Sequence, residues 1–155
     1  MNINLTTKER MLLEDQKSHE EICVQKYTSY ANQASCPQLK QMFSNFANNE
    51  QQHLNTINQL LSGQVPATNQ QSGGAAKQQA NVQPQASFIN NQSDQALCTD
   101  MLMTEKYVSG VYDTAIFEFK DPQVRDVLSH IQKEEQKHGE AIFQYMQSKG
   151  MYNLS

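Results

Sequence analysis

Four residues of this chain recur as a set. Glu20, Tyr27, Glu50 and His53 are followed by Glu105, Tyr112, Glu135 and His138, each 85 residues after its counterpart. The same offset relates Leu12 to Leu97, Asp15 to Asp100, Pro37 to Pro122, Gln38 to Gln123 and Ile57 to Ile142, and it keeps a positive charge at Lys40 and Arg125. A chain of 155 residues is enough for one ordinary domain. The repeat therefore constrains the fold to two copies of one plan within a single domain, residues 1–155.

Each copy reads as a helical hairpin. Thr6-Thr7-Lys8-Glu9 fits a capping box, with Thr6 as N-cap and Glu9 reaching back. From there to about Ala34 there is no Gly or Pro, and apolar residues return at helical intervals at Leu12, Leu13, Cys23, Tyr27, Tyr30 and Ala31. Ser35-Cys36-Pro37 breaks the run. Proline is favoured in the first helical turn, so a second helix starts there and stops at Gly63. A third helix starts at Ser93 or Asp94 and runs to about Lys120, with Gly110 in its interior expected to admit a close neighbour. Asp121-Pro122 opens a fourth, which runs to about Ser148 and stops at Gly150. The hairpins are residues 7–62 and 93–149.

Between them, residues 63–92 are rich in Gln, Gly and Ala, with Gly73-Gly74, Pro66 and Pro84 and few large apolar side chains. Such a stretch cannot bury a core and reads as a flexible crossover, its end pinned by Phe88 and Ile89. If the hairpins pack about a two-fold axis, helices 2 and 3 run parallel and the connection must travel the length of the bundle. A 30-residue linker does this; a short loop cannot. The expected fold class is all-α, a four-helix bundle with one long crossover.

Spacing then points to a site. Glu50 and His53 are three residues apart, as are Glu135 and His138, so each pair shares a helix face. Glu20 and Tyr27, and Glu105 and Tyr112, are almost two whole turns apart and share a face as well. Glu20 and Glu50 lie about equally far from the first turn, and Glu105 and Glu135 from the second, so an antiparallel hairpin brings each pair level. Four buried carboxylates are costly unless compensated. With two neutral imidazoles they carry four negative charges, which two divalent cations cancel. Oxygen and imidazole donors without thiolate suit iron or manganese, and zinc is also accommodated. Glu20, Glu50, His53, Glu105, Glu135 and His138 are the candidate metal ligands; Tyr27 and Tyr112 are candidate hydrogen-bond donors behind the carboxylates. His19 and Glu21 point away and read as solvated. His130 reads as lying at a helix boundary, Cys23 as a small core residue, and Met42, Met101, Met103 and Met146 as core filler.

Other classes are poorly served. The net charge is −4, which offers no electrostatic footprint for nucleic acid or an anionic membrane. The N-terminus lacks the apolar region of a secretory signal, so cytoplasmic synthesis is expected, and no stretch approaches a membrane span. Cys23, Cys36 and Cys98 fit neither a disulfide framework nor a zinc site. They read as reduced thiols, or as cross-linking groups in an oxidising assembly.

At these residues the chain resembles the ferritin-like superfamily, in particular the rubrerythrins and manganese catalases with their double Glu-x-x-His pattern. The stretch Tyr27-Thr28-Ser29-Tyr30-Ala31-Asn32-Gln33-Ala34, followed by Asn49-Glu50-Gln51-Gln52-His53, looks like a rubrerythrin's first hairpin. Two paired hairpins with a Gln-rich linker and no appended domain look most like the spore coat protein F family of endospore-forming bacteria. The resemblance implies that Glu50 and Glu135 bridge the two metals, with Glu20, Glu105, His53 and His138 terminal. It implies a structural or assembly role in a spore coat, with other coat proteins or a second copy (a homodimer) as partners. The alternative it implies is a di-iron or di-manganese oxidoreductase acting on peroxide or oxygen. Two departures bear on that alternative: the four-cysteine electron-delivery module of rubrerythrins is missing, as is their additional helix-3 carboxylate.

Overall fold

The computed structural model of the chain describes residues 2–67 and 93–154. Four long helices form a bundle: α1 (Thr7–Gln33), α2 (Pro37–Leu61), α3 (Asp94–Glu118) and α4 (Pro122–Ser148). Their ends follow local chemistry. Thr6 and Glu9 exchange hydrogen bonds in a full capping box at α1. Ser93 caps α3 by accepting from the Ala96 N–H, and Asp121 caps α4 by accepting from Gln123 and Val124. Proline opens both α2 and α4. Gly63 and Gly150 adopt φ of 84° and 69° just past α2 and α4, a left-handed turn that only glycine enters without strain.

Contacts across α1 and α3 show that these helices run antiparallel. At one end the Lys120 N–H donates to Glu9; at the other the N–H groups of Ser35 and Cys36 donate to Asp94. The end of α2 lies beside the start of α1, where the Ile3 N–H donates to the Gly63 carbonyl at 2.8 Å. The connection leaving α2 therefore starts at one end of the bundle and enters α3 at the other. Helices 2 and 3 run parallel, which is the long-crossover topology expected from the repeat. Most of that crossover, with Phe88 and Ile89, lies outside the described residues.

The core has three layers. An apolar cluster at one end includes Leu13, Ile57, Leu60, Phe119, Val124 and Leu128. Another at the opposite end includes Leu39, Phe43, Leu97, Met101, Ile142 and Met146. Each fully buried aliphatic side chain of this kind contributes roughly 1.5–3 kcal/mol. Between the clusters lies a polar layer of Glu20, Glu50, His53, Glu105, Glu135 and His138, all buried.

Three expectations are corrected. A side chain at Gly110 would meet nothing within 4 Å, so this glycine faces open space and serves no close helix approach. Met103 is 64% exposed and is not core filler. His130 is well inside α4, and its side chain is 73% exposed. Eight residues turn a helix about 80° past two full rotations, which takes His130 off the inward face of His138.

Candidate metal centre

All six candidate ligands meet in the polar layer. Donor atoms of Glu20, Glu50, His53 and Glu135 lie within 4.8 Å of one another, and so do those of Glu50, Glu105, Glu135 and His138. The groups share Glu50 and Glu135. Each adds one further carboxylate and one histidine.

Both imidazoles present Nδ1 to the carboxylates. His53 Nδ1 lies 3.1 Å from Glu50, 3.2 Å from Glu135 and 3.8 Å from Glu20. His138 Nδ1 lies 3.0 Å from Glu50, 3.3 Å from Glu105 and 3.4 Å from Glu135. The tyrosines act across the two hairpins. Tyr27 of the first donates to Glu105 of the second, and Tyr112 of the second donates to Glu20 of the first. Each phenol thus orients the carboxylate of the other copy, a pairing that sequence spacing alone does not specify.

The outer ring nitrogens find partners that sequence reasoning missed. His53 Nε2 donates to Glu134 Oε2 at 2.5 Å, and His138 Nε2 lies 3.2 Å from the Asn49 amide. Asn49 and Glu134 occupy equivalent positions in the 85-residue repeat. The signal was available: each immediately precedes the Glu of a Glu-x-x-His pair. Phe46 stacks on His138 with ring centroids 4.2 Å apart. Cys23 is fully buried close to the carboxylates, and burial, followed by their charge, pushes its thiol well up.

Without a cation the layer is held by protons. Burial, with the charges of Glu50 and Glu135, pushes Glu20 well above the usual carboxylate range, and burial with the Glu135 charge pushes Glu105 up to about 8. Burial acts the same way on Glu50, but hydrogen bonds from His138 and His53 outweigh it and bring Glu50 down to about 2. Burial disfavours charge on the imidazoles, yet the surrounding carboxylates overcome it: His138 rises to about 11 and His53 moves strongly in the same direction. Even so, Glu20 Oε2 and Glu105 Oε2 lack a hydrogen bond, and so do both Glu135 oxygens, whose nearby Nδ1 atoms are directed at Glu50. Buried acceptors of this kind are costly and are normally satisfied. Orphaned oxygens beside paired imidazole nitrogens, in two groups of four, match the donor set of a dinuclear carboxylate centre.

Comparisons with known proteins agree with this architecture. A family model for the Coat F domain matches residues 93–155, the region of α3 and α4. Among solved structures, a two-domain protein from Anabaena variabilis with DJ-1/ThiJ/PfpI-like and ferritin-like domains aligns with a TM-score of 0.69 at 14% identity, over 95% of this chain and 38% of that one. This chain thus spans well under half of that protein. A dodecameric thioferritin, the bacterioferritin-related protein from Bacteroides fragilis, aligns with a TM-score of 0.71 at 15% identity, over 96% of this chain and 89% of that one. No curated protein sequence matches. The chain is a ferritin-like four-helix bundle, and its second hairpin carries the Coat F domain match.

Proposed function

We propose that this chain is a spore-coat protein whose bundle is built around a centre that would hold two divalent cations, with Glu50 and Glu135 common to both donor groups. Glu20 and His53 complete one half, and Glu105 and His138 the other. The observation that carries the reading is the pair of ion-sized donor groups sharing those two glutamates, with carboxylate oxygens left unpartnered. Four carboxylates and two neutral imidazoles balance two divalent ions. The ligand set favours iron or manganese, with zinc as a further occupant. Tyr27 and Tyr112 hold the terminal carboxylates, and the apolar layers on either side keep water away.

The role in the coat is structural, in assembly with copies of itself or with other coat proteins. The Coat F match supports the location. Self-association is supported by apolar side chains left exposed on the neighbouring helices α1 and α3: Met11 and Ile22, and Met103, Tyr107 and Phe117. No helix among the described residues is long and apolar enough to cross a membrane.

A redox role is the second reading, favoured by the donor set. Iron or manganese held there would supply redox and Lewis-acid chemistry toward peroxide or oxygen. Metal analysis of protein purified without chelator tests the centre. About two ions per chain are expected, with both lost in the Glu50→Ala, Glu135→Ala double variant. A chain that stays empty after anaerobic addition of Fe(II) or Mn(II) overturns the reading.

A further inference from the structure

The repeat is broken beside the centre at two positions one helical turn apart. Where the first hairpin has Asn45 and Asn49, the second has His130 and Glu134. Neutral amides in one copy are ionisable groups in the other. In the bundle these groups form a chain to the surface. His130 Nε2 lies 3.4 Å from Glu134 Oε1, and the other Glu134 oxygen accepts from His53 Nε2 at 2.5 Å.

The chemistry of a histidine ligand makes this difference matter. When Nδ1 binds a cation, Nε2 carries the proton and needs an acceptor. Glu134 is a charged acceptor already in place for His53. Asn49 meets His138 Nε2 through its amide nitrogen, and must turn over to offer a neutral oxygen. A charge-assisted hydrogen bond is about twice as strong as a neutral one. It also fixes the ring and raises its basicity. The Glu20–His53 half carries this extra negative charge; the Glu105–His138 half does not.

We infer that Glu134 is the positioning residue that makes the two halves unequal, orienting His53 so that its half takes the first divalent cation. The inference rests on the dinuclear reading proposed above and assigns an order of loading within it. Glu134 reaches the cation only through His53.

Stepwise titration of the metal-free chain with Co(II), followed by calorimetry and visible absorption, tests it. Wild type should bind two equivalents, the first at least about tenfold tighter. Glu134→Asn copies the other hairpin; it should weaken the first step by about 10–100-fold and close the gap. Asn49→Glu should tighten the second step. Glu134→Asp should restore part of the first step, with a Co(II) spectrum nearer that of wild type. Glu134 is partly exposed, so these variants should fold, which their helical circular dichroism would confirm. Two steps of equal affinity in wild type, or equal weakening of both by Glu134→Asn, overturn the inference and leave the dinuclear centre standing. No Co(II) binding at all overturns the centre, and this inference with it.

Discussion

On the His53 side of the centre an ionised carboxylate, Glu134, faces the outer ring nitrogen, with His130 behind it. On the His138 side the equivalent position is Asn49, and Phe46 covers the ring. The counterpart of Phe46 is Ile131, a buried aliphatic residue. Inside the polar layer the two halves correspond in residue types, in their use of Nδ1 and in their reciprocal tyrosines. The difference begins one shell further out. Symmetry is kept where the donor set demands it and lost where only the surroundings of a donor are at stake. A duplicated hairpin can therefore keep a matched set of buried carboxylates and imidazoles and still surround its two halves differently.

Protons give the largest effect by which to probe that contrast. In the cation-free chain His138, at about 11, is charged at pH 7, and Glu105, at about 8, is mostly protonated. His53 and Glu20 are raised as well. Cation binding needs neutral imidazole and ionised carboxylate, so it must expel these protons. The sign follows: protons compete with the cation, and affinity rises with pH. With at least two protons displaced, the overall affinity should climb by about 100-fold or more per pH unit near pH 7. Calorimetry in two buffers of different ionisation enthalpy counts the protons released. Because both halves hold raised groups, their affinity gap should persist as pH rises. A gap that closes above about pH 8 would place the difference in protons rather than in Glu134.

Much of this was legible in the sequence, and the reasons differ by region. The caps and stops were readable because Thr6, Glu9, Asp121, Pro37, Pro122, Gly63 and Gly150 act on their own neighbourhoods. The six residues of the polar layer were readable because spacing on a helix and distance from a turn are both one-dimensional quantities. The partners of the imidazoles were not, because Glu134 and Asn49 reach histidines on the opposite hairpin. Nor was the exchange of the tyrosines, since a shared helix face does not say which carboxylate a phenol meets. Helices α1 and α3 were harder to read than α2 and α4 for a physical reason. They expose Met11, Ile22, Met103, Tyr107 and Phe117, whereas the exposed large apolar side chains include none from α2 or α4, so the apolar periodicity of α1 and α3 misstates which face is inside. Met103 was misplaced on that account.

Gln16 carries the comparison of the halves into the bundle interior. It is fully buried four residues before Glu20, and neither amide atom has a hydrogen-bond partner. Its counterpart in the second hairpin is Met101, also fully buried but apolar. An unsatisfied buried amide costs about 1–3 kcal/mol. Gln16→Met makes the first hairpin copy the second, and it should stabilise the metal-free chain by about that much, raising Tm by several degrees in a thermal melt. Unchanged or lower stability would show that the amide has a partner in solution, and that this difference between the halves is kept for a reason other than packing.

The smallest effect concerns the ties at the two ends of the bundle, where the halves are related but not alike. Glu9 and Asp94 are equivalent in the repeat, and each reaches the turn of the other hairpin. Asp94 spends both oxygens there, accepting from Ser35 at 2.8 Å and Cys36 at 3.0 Å, while Ser93 caps its helix. Glu9 divides its oxygens, accepting from Lys120 at 3.1 Å and from its own cap residue Thr6 at 2.8 Å. Burial pushes the Glu9 carboxyl up, but the Thr6 and Lys120 N–H groups outweigh it and leave it below its usual range. A carboxyl lowered in the folded state stabilises the fold above its unfolded value of about 4.3, and that contribution is lost as pH falls through the folded value. Glu9→Gln and Asp94→Asn should each cost about 1 kcal/mol at pH 7 in urea unfolding, as a charged acceptor becomes neutral. The Glu9→Gln loss should fade as pH falls through the lowered folded value, where wild type gives up the same charge. It should also loosen the cap of α1, seen as faster amide exchange at Thr6, whose N–H the Glu9 side chain accepts, whereas Asp94→Asn should leave the first turn of α3 protected by Ser93. Equal fraying in both variants would mean that the two ends are tied in the same way, despite the divided oxygens of Glu9.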